Sequence, residues 1–458
     1  MNRKTRMIGS LFMGIGLVAS AQNPICPPGL YIADPTARVW DGGMLYVYGS
    51  RDDDNLKSYC SHDHWVMRTA DMVNWEFFPE VFASKGENDA VPYNNSPLYA
   101  PDIMYKDGTY YLYFCQPQKP REGVAVSTSP TGPFTKAKAI NIPQHLDQID
   151  PTVFIDDDGQ AYYAWGQFNA KIAKLKPNMT EIDVSTIVPD VLTQKEHYFH
   201  EGNFIVKRNG IYYMVYTTEK PRENGEKTAA RIAYSTSDKP MGPYSYGGII
   251  IDNLGCDPST WNNHGSVVEF KGQWYIFYHR ATQGSRKRRK ACVEPITFNE
   301  DGSIAPVEMT SQGASGKPLD AFKTIEAERA CRMGGHARIE PLSHDPNNLI
   351  SPDNSDQIAQ IRDGDWAEFK YVDFGKGAKG IEMRVAPATA SYTIDIKLDD
   401  PDGERIGSVS VPGGGNGRIW KTVGGSVDVQ GIHALYLVFS SKDGDTDSTL
   451  SVDWVVFK

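Results

Sequence analysis

A β-hairpin pattern repeats five times in the first two thirds of the chain. In each unit a turn glycine is followed within five residues by Tyr or Trp in an apolar run, and one acid or histidine lies 6 to 9 residues before that glycine. The turn glycines are Gly43, Gly108, Gly159, Gly210 and Gly272. Hairpins repeated at a period of roughly 50 to 65 residues are typical of radial folds, and five units predict a five-bladed β-propeller.

The polar residue of each unit precedes its glycine at a similar spacing. The five residues are Asp34, Asp102, Asp150, Glu201 and His264. Because the innermost strand of a propeller blade faces the central axis, we expect these side chains to converge on one small space. Crowded carboxylates repel one another, so their convergence favours a functional site over chance placement.

The remainder of the chain predicts a second β-domain, since 458 residues are too many for one ordinary domain. The small, polar, glycine-rich stretch 311–323 predicts a linker between a propeller of residues 22–310 and a domain of residues 324–458. Short alternating runs in the latter, separated by Gly and Asp turns, predict a β-sandwich of the jelly-roll type. The predicted fold class is all-β.

The N-terminus has the pattern of an export signal. Basic residues precede an apolar stretch that ends in Ala19-Ser20-Ala21. This predicts a signal peptide of residues 1–21, cleaved after Ala21, and a periplasmic or secreted protein. The apolar run is too short to span a bilayer as a stable helix.

Charge narrows the classes of partner. The formal net charge is −10, and about −13 without the three bases of the signal peptide. An acidic chain argues against nucleic acid and anionic membrane as partners and is compatible with neutral sugars. The basic run Arg286–Lys290 is the exception: it is either a solvated loop or the source of an arginine that reaches the acidic centre.

The converging acids suit cleavage of a glycosidic bond. That reaction needs one carboxyl group to protonate the leaving oxygen and another to activate water or attack the anomeric carbon. A third negative charge nearby raises the pKa of the acid. Asp34, Asp150 and Glu201 are the candidates, with Asp102 a fourth at the shorter spacing of 6 residues. No motif has the ligand spacing of a catalytic metal, so we predict no catalytic cofactor.

Short motifs surround these residues in order along the chain. They are Ala33-Asp34-Pro35, Ala100-Pro101-Asp102, Ile149-Asp150-Pro151, His200-Glu201-Gly202 and Asn263-His264-Gly265-Ser266. Together they resemble glycoside hydrolase family 43, over roughly residues 28 to 310. The resemblance implies a five-bladed propeller and an inverting enzyme that acts on arabinosides, xylosides or some galactosides.

The resemblance also implies roles for individual residues. Asp34 is the expected general base, Glu201 the general acid, and Asp150 the group that tunes and orients that acid. Asn203 departs from the family, in which the acid is often followed by Gly-Pro or Ala-Pro, so we expect a pocket of altered shape. Further residues are expected to line the substrate pocket: His264, Asp102, Tyr99, Trp165, Arg288 and Arg289.

Three motifs of the second domain are Ile325-Glu326-Ala327-Glu328, Gly364-Asp365-Trp366 and Val452-Asp453-Trp454. They resemble family 6 carbohydrate-binding modules, which implies a structural calcium bound by Glu326, Glu328 and Asp453. The sugar cleft departs from the family, because Gln360, Gly417 and Ser451 stand where relatives often carry Tyr, Trp and Asn. A cleft without its aromatic pair loses stacking surface, so we predict a structural or divergent module that binds sugar weakly.

These observations predict an exported inverting glycosidase that releases terminal α-L-arabinofuranose or β-D-xylose from plant cell-wall polysaccharides or oligosaccharides such as arabinoxylan or arabinan. One alternative keeps the mechanism and acts on β-galactan or galactofuranosides. Another is a sugar-binding propeller without turnover. A binding protein needs no proton donor, so the presence of all three carboxylates argues against the last alternative.

Overall fold

The computed structural model describes residues 15–18, 22–40, 42–53, 59–441 and 449–458. It consists of a β-propeller followed by a β-sandwich, so the predicted fold class is confirmed. Helix within these residues is confined to the single turn α1 (Gln194–His197) and to 3-10 turns at Val184–Thr186, Gly313–Ser315 and Ala327–Arg329. None of the helices in these ranges is long and apolar enough to cross a membrane.

Five antiparallel sheets form the blades of the propeller. Blade 1 contains β1 (Ile15–Val18), β2 (Ile32–Trp40), β3 (Met44–Arg51), β4 (Asp63–Thr69) and β5 (Asn74–Ala83). Blade 2 contains β6 (Asp102–Lys106), β7 (Thr109–Cys115), β8 (Glu122–Ser127) and β9 (Thr135–Ala139). Blade 3 contains β10 (Thr152–Ile155), β11 (Ala161–Trp165), β12 (Asn169–Lys174) and β13 (Val188–Thr193). Blade 4 contains β14 (Phe199–Arg208), β15 (Ile211–Thr218), β16 (Arg231–Ser237) and β17 (Ser245–Asp252), and blade 5 contains β18 (Ser266–Phe270), β19 (Gln273–Thr282) and β20 (Ser285–Ile296).

The first strand of each repeat is the innermost strand of its blade. These strands, β2, β6, β10, β14 and β18, contact one another in a ring. The N-terminal segment lies along the outer strand of blade 5, β20, since the Ile25 N–H donates to the Ala291 carbonyl at 3.0 Å. The Asn23 side chain adds a hydrogen bond to the Val293 carbonyl at 2.9 Å. The polar residues of the repeats are therefore brought to the axis, as the spacing predicts.

The repeated Tyr residues pack between neighbouring blades. Tyr113 of β7 lies against Tyr163 of β11, with ring centroids 5.7 Å apart, and both side chains are fully buried. Packing of this kind removes large apolar surfaces from water and stabilises the contact between blades. All six cysteines are buried and free.

Two curled sheets form the second domain. One contains β21 (Leu319–Asp320), β23 (Arg332–Gly334), β26 (Trp366–Asp373), β28 (Tyr392–Leu398), β29 (Arg405–Val411) and β31 (Ile432–Ser441). The other contains β22 (Ile325–Glu326), β24 (Arg338–Ser343), β25 (Ser355–Ile361), β27 (Ala378–Ala386), β30 (Lys421–Val429) and β32 (Leu450–Phe457). The sheets join at the pair Gly407–Val427, and their inner faces enclose one apolar core.

The predicted linker, 311–323, is in contact with the sandwich. Its strand β21 pairs with β26, and the Ser311 N–H donates to the Lys370 carbonyl at 2.7 Å. The predicted domain limits stay predictions. The predicted signal peptide, residues 1–21, lies outside the described residues except for β1, whose backbone pairs with β5.

Candidate active site

A pocket of about 230 Å³ opens at the propeller axis. Its size is below the roughly 300–1,000 Å³ of pockets for drug-sized ligands and suits a single sugar unit. It is lined by Asp34, Tyr59, Cys60, Tyr99, Ala100, Ile149, Asp150, Gln167, His200, Glu201, Trp261, Asn262, His264 and Arg289. The structure thus brings together the three predicted carboxylates with the predicted histidine, one predicted tyrosine and one of the two predicted arginines.

Irregular backbone aims the acids into this pocket. Asp34 and Asp150 have left-handed backbone, with φ of 52° and 54°. The register of β2 shifts between Ala33 and Thr36, and that of β14 shifts on both sides of Glu201. Such bulges interrupt regular pairing and redirect a side chain, and they concentrate near active sites.

Asp34 is held as a carboxylate. Its Oδ1 accepts a hydrogen bond from Arg289 Nη1 at 2.9 Å, and its Oδ2 accepts one from the Ser50 hydroxyl at 2.8 Å. Burial raises the pKa of the Asp34 carboxyl, but Arg289, followed by two nearby histidines, more than offsets this and lowers it to about 2. Asp34 is therefore ionised at neutral pH and able to accept a proton.

A second buried acid fixes the arginine. Arg289 donates from Nε to Asp52 Oδ2 and from Nη2 to Asp52 Oδ1, both at 2.9 Å. Its backbone N–H also donates to Asp52 Oδ2 at 2.9 Å. Bidentate pairing of this kind orients the planar guanidinium, so Asp52 places the remaining N–H groups toward Asp34.

Asp150 has the opposite electrostatic environment. Burial, then the negative charges of Glu201 and Asp34, raise the pKa of Asp150 well above its usual range. His264 Nδ1 lies 3.6 Å from Asp34 Oδ1 and 3.9 Å from Asp150 Oδ2. Burial lowers the pKa of His264, so this imidazole is neutral and cannot relieve the repulsion as a cation. The pocket therefore places an ionised Asp34 beside Asp150, a carboxyl group that its surroundings favour in the protonated form.

Glu201 is the most accessible of the three acids, with 14 % of its side chain exposed. Its Oε2 accepts a hydrogen bond from Gln167 Nε2 at 2.7 Å. The next residue, Gly202, has a φ of 72°, and a Cβ there would lie 3.0 Å from His264 Cδ2. The glycine of this motif therefore lets β14 approach the axis closely enough to place Glu201 in the pocket.

Asp102 is not in the pocket, which corrects the prediction that it lines the substrate site. It binds Arg38 through two hydrogen bonds of 2.8 Å from Nη2. It also accepts from the Thr152 hydroxyl and the Val153 N–H, each at 2.8 Å. Arg38 packs over the Phe204 ring, 4.3 Å from its centroid. Asp102 of blade 2 thus contacts blades 1 and 3, and through Arg38 it is connected to blade 4. Its negative charge balances that of the nearly buried Arg38.

The prediction for Trp165 is also wrong, and of the two alternatives Arg288 and Arg289 it is Arg289 that lines the pocket. Trp165 is fully buried in the core between blades 2 and 3, and its indole N–H donates to the Asp147 carbonyl at 2.9 Å. Arg288 is absent from the described pocket lining, while its neighbour Arg289 is present. Successive residues of a strand point to opposite faces, so only one of the two arginines reaches the acids.

Several pocket residues escaped the sequence interpretation. Tyr59 and Cys60 follow β3 on a long connection, and Trp261 and Asn262 directly precede the His264 motif. The only sequence signal for Trp261 is its position just before a motif, and that position does not distinguish a residue that lines the pocket from one that packs in the core. Asp52 has no motif at all, and only the fold reveals its contact with Arg289.

The proposed calcium ligands of the second domain are close but do not form a cage. Among the described residues there is no group of three or more acids, histidines or cysteines arranged to hold a metal. Asp453 is paired with Arg384. Burial raises the pKa of Glu328 to about 7, and Asp356 and Glu326 add to the rise against the opposing charge of Arg329. A calcium ion bound to Asp453 would have to displace Arg384.

Comparison with known proteins decides the family. Residues 21–304 match the family described as "Glycosyl hydrolases family 43". The chain belongs to glycoside hydrolase family 43. Residues 326–458 match "Carbohydrate binding module (family 6)", so both family resemblances are confirmed. This family 43 protein is an enzyme that hydrolyses O-glycosyl bonds with inversion, and enzymes of the family need no catalytic cofactor.

Relatives match nearly the whole chain. A xylosidase/arabinosidase of Thermoclostridium stercorarium is 30% identical, over 91% of this chain and 95% of the relative. An arabinoxylan arabinofuranohydrolase of Bacillus subtilis (strain 168) is 29% identical, over 89% of this chain and 87% of the relative. The crystal structure of a family 43 arabinoxylan arabinofuranohydrolase from Bacillus subtilis in complex with cellotetraose superposes with a TM-score of 0.53 at 26% identity, covering 96% of this chain and 97% of that chain. Both domains are therefore shared, and carbohydrate is the class of partner.

Proposed function

We propose that this enzyme releases a terminal α-L-arabinofuranose or β-D-xylose from a plant polysaccharide such as arabinoxylan or arabinan. The observation that carries the proposal is one small axial pocket that holds Asp34, Asp150 and Glu201 together, with the pKa of Asp34 lowered to about 2 and that of Asp150 raised. The names of the two relatives support a pentose. The pocket's volume supports action at a chain end or side branch, because it suits one sugar.

In the proposed mechanism Asp34 is the general base. Arg289 and Ser50 orient its carboxylate, whose remaining lone pairs accept a proton from water as that water attacks the anomeric carbon. A carboxylate held by two donors keeps one geometry, which favours attack from one face of the sugar. Attack by water in a single displacement inverts the configuration.

Glu201 is the proposed general acid. The negative charge of Glu201 raises the pKa of the buried Asp150, so this pair of acids retains the proton that cleavage needs. Glu201, which is more exposed, delivers that proton to the leaving oxygen, while Gln167 keeps its carboxyl in position. Asp150 thus modulates the acid, and the balance of the reaction is one water consumed and one glycosidic bond broken.

Pentose nitrophenyl glycosides test these roles. We expect wild type to release nitrophenol, and Glu201→Gln and Asp34→Asn to lose roughly 10²–10⁴-fold in kcat. The loss in Glu201→Gln should shrink with a dinitrophenyl leaving group, which needs little protonation, whereas the loss in Asp34→Asn should not. Equal rates for wild type and Glu201→Gln would contradict the assignment of the acid. A panel of arabinan, arabinoxylan and galactan then identifies the sugar released.

A structural calcium in the second domain is also proposed, at Glu326, Glu328 and Asp453. The raised pKa values of Glu326 and Glu328, caused first by burial and then by neighbouring acids, support it, because a divalent cation would neutralise that excess negative charge. Thermal melts with CaCl₂ and with EDTA test it: a higher melting temperature in calcium is expected, and identical curves would contradict the site.

Export to the periplasm or medium is proposed from the N-terminal sequence, with cleavage after Ala21. The expected partner, plant cell-wall carbohydrate, is consistent with that location, and we propose no nucleic-acid or membrane partner. N-terminal sequencing of the protein recovered from cell fractions tests this. A mature chain that starts at Gln22 outside the cytoplasm is expected, and an intact Met1 in the cytoplasm alone would contradict it.

A further inference from the structure

Behind the proposed base, a buried ion pair joins the two domains. Lys290 of β20 donates from Nζ to Asp356 Oδ2 of β25 at 2.8 Å, and the two side chains are 2 % and 1 % exposed. His344 Nε2 lies 2.7 Å from Asp356 Oδ1. The Lys290 ammonium also lies 5.0 Å from the centroid of the Tyr31 ring. We call Tyr31, Lys290, His344 and Asp356 the interdomain cluster.

The cluster includes a residue of β20, the strand that carries Arg289. Arg289 and Lys290 are consecutive in β20, so their side chains point to opposite faces. On one face Arg289 binds Asp34, and on the other Lys290 binds Asp356 of the sandwich. The position of the arginine along and across β20 is therefore fixed from both sides.

The same cluster contacts the strand that carries the base. Tyr31 directly precedes β2, three residues before Asp34. Its carbonyl accepts a hydrogen bond from the Asp52 N–H at 3.0 Å, and Asp52 in turn orients Arg289. Asp34 and Arg289 are thus each close in sequence to a residue that contacts the second domain: Tyr31 for Asp34 and Lys290 for Arg289.

The surroundings of Asp356 favour its ionised form although it is buried. Burial raises the pKa of the Asp356 carboxyl, but Lys290 and His344 more than offset this and hold it below its usual range. A buried ion pair is often no more stabilising than an apolar pair of the same volume. What it supplies is a defined geometry, since a charged hydrogen bond tolerates little displacement.

We propose that the second domain is a positioning element of the active site, in which the Lys290–Asp356 pair fixes β20 so that Arg289 holds Asp34 in line for catalysis. This inference rests on the proposed role of Asp34 as the base. Lys290 and Asp356 are positioning residues, because neither touches substrate. The sandwich then contributes to hydrolysis of small glycosides that reach no sugar-binding surface on it.

The test compares full-length variants on a pentose nitrophenyl glycoside. Asp356→Asn and Lys290→Met should lower kcat by roughly 10–100-fold, the cost of a displacement of about 1 Å, while KM changes less than about threefold. Glu308→Gln is the matched control: Glu308 accepts hydrogen bonds across the same interface from Lys370 Nζ at 3.2 Å and from the Tyr371 hydroxyl at 2.7 Å, and it is outside the pocket lining. Its kcat should equal that of wild type.

A double variant distinguishes a loss of positioning from a loss of folding. Lys290→Met with Asp356→Leu removes both partners of the ion pair, so neither Lys290 nor Asp356 is left buried without the other, and the variant should fold with a near-ultraviolet circular dichroism spectrum like that of wild type and still be slow. Wild-type kcat in the folded double variant, or in either single variant, would overturn the proposal.

A readout independent of activity separates this inference from the proposed function. Hydrogen exchange in a peptide spanning residues 286–292 should be faster in Asp356→Asn than in wild type, and unchanged in Glu308→Gln. Unchanged exchange in Asp356→Asn would overturn the proposal even if no pentoside is hydrolysed. Inactivity of wild type on every pentoside would contradict the proposed function alone.

Discussion

Removal of the Arg289 guanidinium should disable the base in a pH-dependent manner. In wild type the pKa of Asp34 is lowered from 3.8 to about 2, a difference of about 1.8 units, which corresponds to about 2.4 kcal/mol at 1.36 kcal/mol per unit. Burial opposes this shift, so without Arg289 the pKa should rise above 3.8. At pH 4.5 a growing share of Arg289→Met then carries a protonated, inactive Asp34, whereas wild type stays ionised.

The assay is kcat/KM on a pentose nitrophenyl glycoside between pH 3.5 and 8. Arg289→Met should lose roughly 10²-fold at pH 7, because Asp34 loses its orientation, and should lose further activity toward pH 3.5, where Asp34 of wild type, with a pKa of about 2, stays ionised. Arg289→Lys, which keeps the charge without the fork, should fall between wild type and Arg289→Met. Arg288→Met, an identical change one residue earlier on the opposite face, is the control and should match wild type. Superposable profiles for Arg289→Met and wild type would refute the reasoning.

Three further predictions concern the neighbouring residues. The raised pKa of Asp150 makes the folded protein retain a proton that the unfolded chain releases above about pH 3.8, so the stability of wild type falls as the pH rises from there. Asp150→Asn removes this loss of stability, so its melting temperature should exceed that of wild type by more at pH 8 than at pH 4. Its kcat should be reduced. Gly202→Ala and Gly210→Ala both force alanine into a φ near +75° at a cost of about 1–2 kcal/mol, but only the former has neighbours within 4 Å of its Cβ, so only its kcat should fall. Asp102→Asn should lower the free energy of unfolding, measured in urea titrations, by roughly 1.5–3 kcal/mol, because it weakens the bond to Arg38. The kcat per folded molecule should be unchanged, and a large loss of kcat would show that Asp102 takes part in catalysis.

The propeller and three of its axial acids are predictable from sequence because the repeat encodes them directly. Each blade needs a turn glycine and an aromatic second strand, and the axis receives whatever residue begins the first strand. Asp34, Asp150 and Glu201 follow that rule. Asp102 departs from it: this acid lies 6 residues before its turn glycine, whereas the other three lie 9 residues before theirs, so it is further along its strand, where it binds Arg38.

The residues that sequence reasoning missed depend on contacts between distant parts of the chain. Asp52 meets Arg289 across a separation of 237 residues, and no local pattern marks either as a partner of the other. Trp165 was misplaced for the reverse reason: an aromatic residue in a hairpin strand such as β11 has the same local pattern whether it faces sugar or a neighbouring blade. Local periodicity predicts which face of a strand is apolar, whereas only packing decides what covers that face.

The stereochemistry of the first product shows whether water assisted by Asp34 attacks the sugar directly. Proton NMR of the sugar released by wild type from a pentose nitrophenyl glycoside, recorded within the first turnovers and before mutarotation, distinguishes the two anomers. We expect the anomer opposite in configuration to the substrate to accumulate first, because water assisted by Asp34 attacks the face opposite the bond that Glu201 protonates. Initial accumulation of the retained anomer would contradict it.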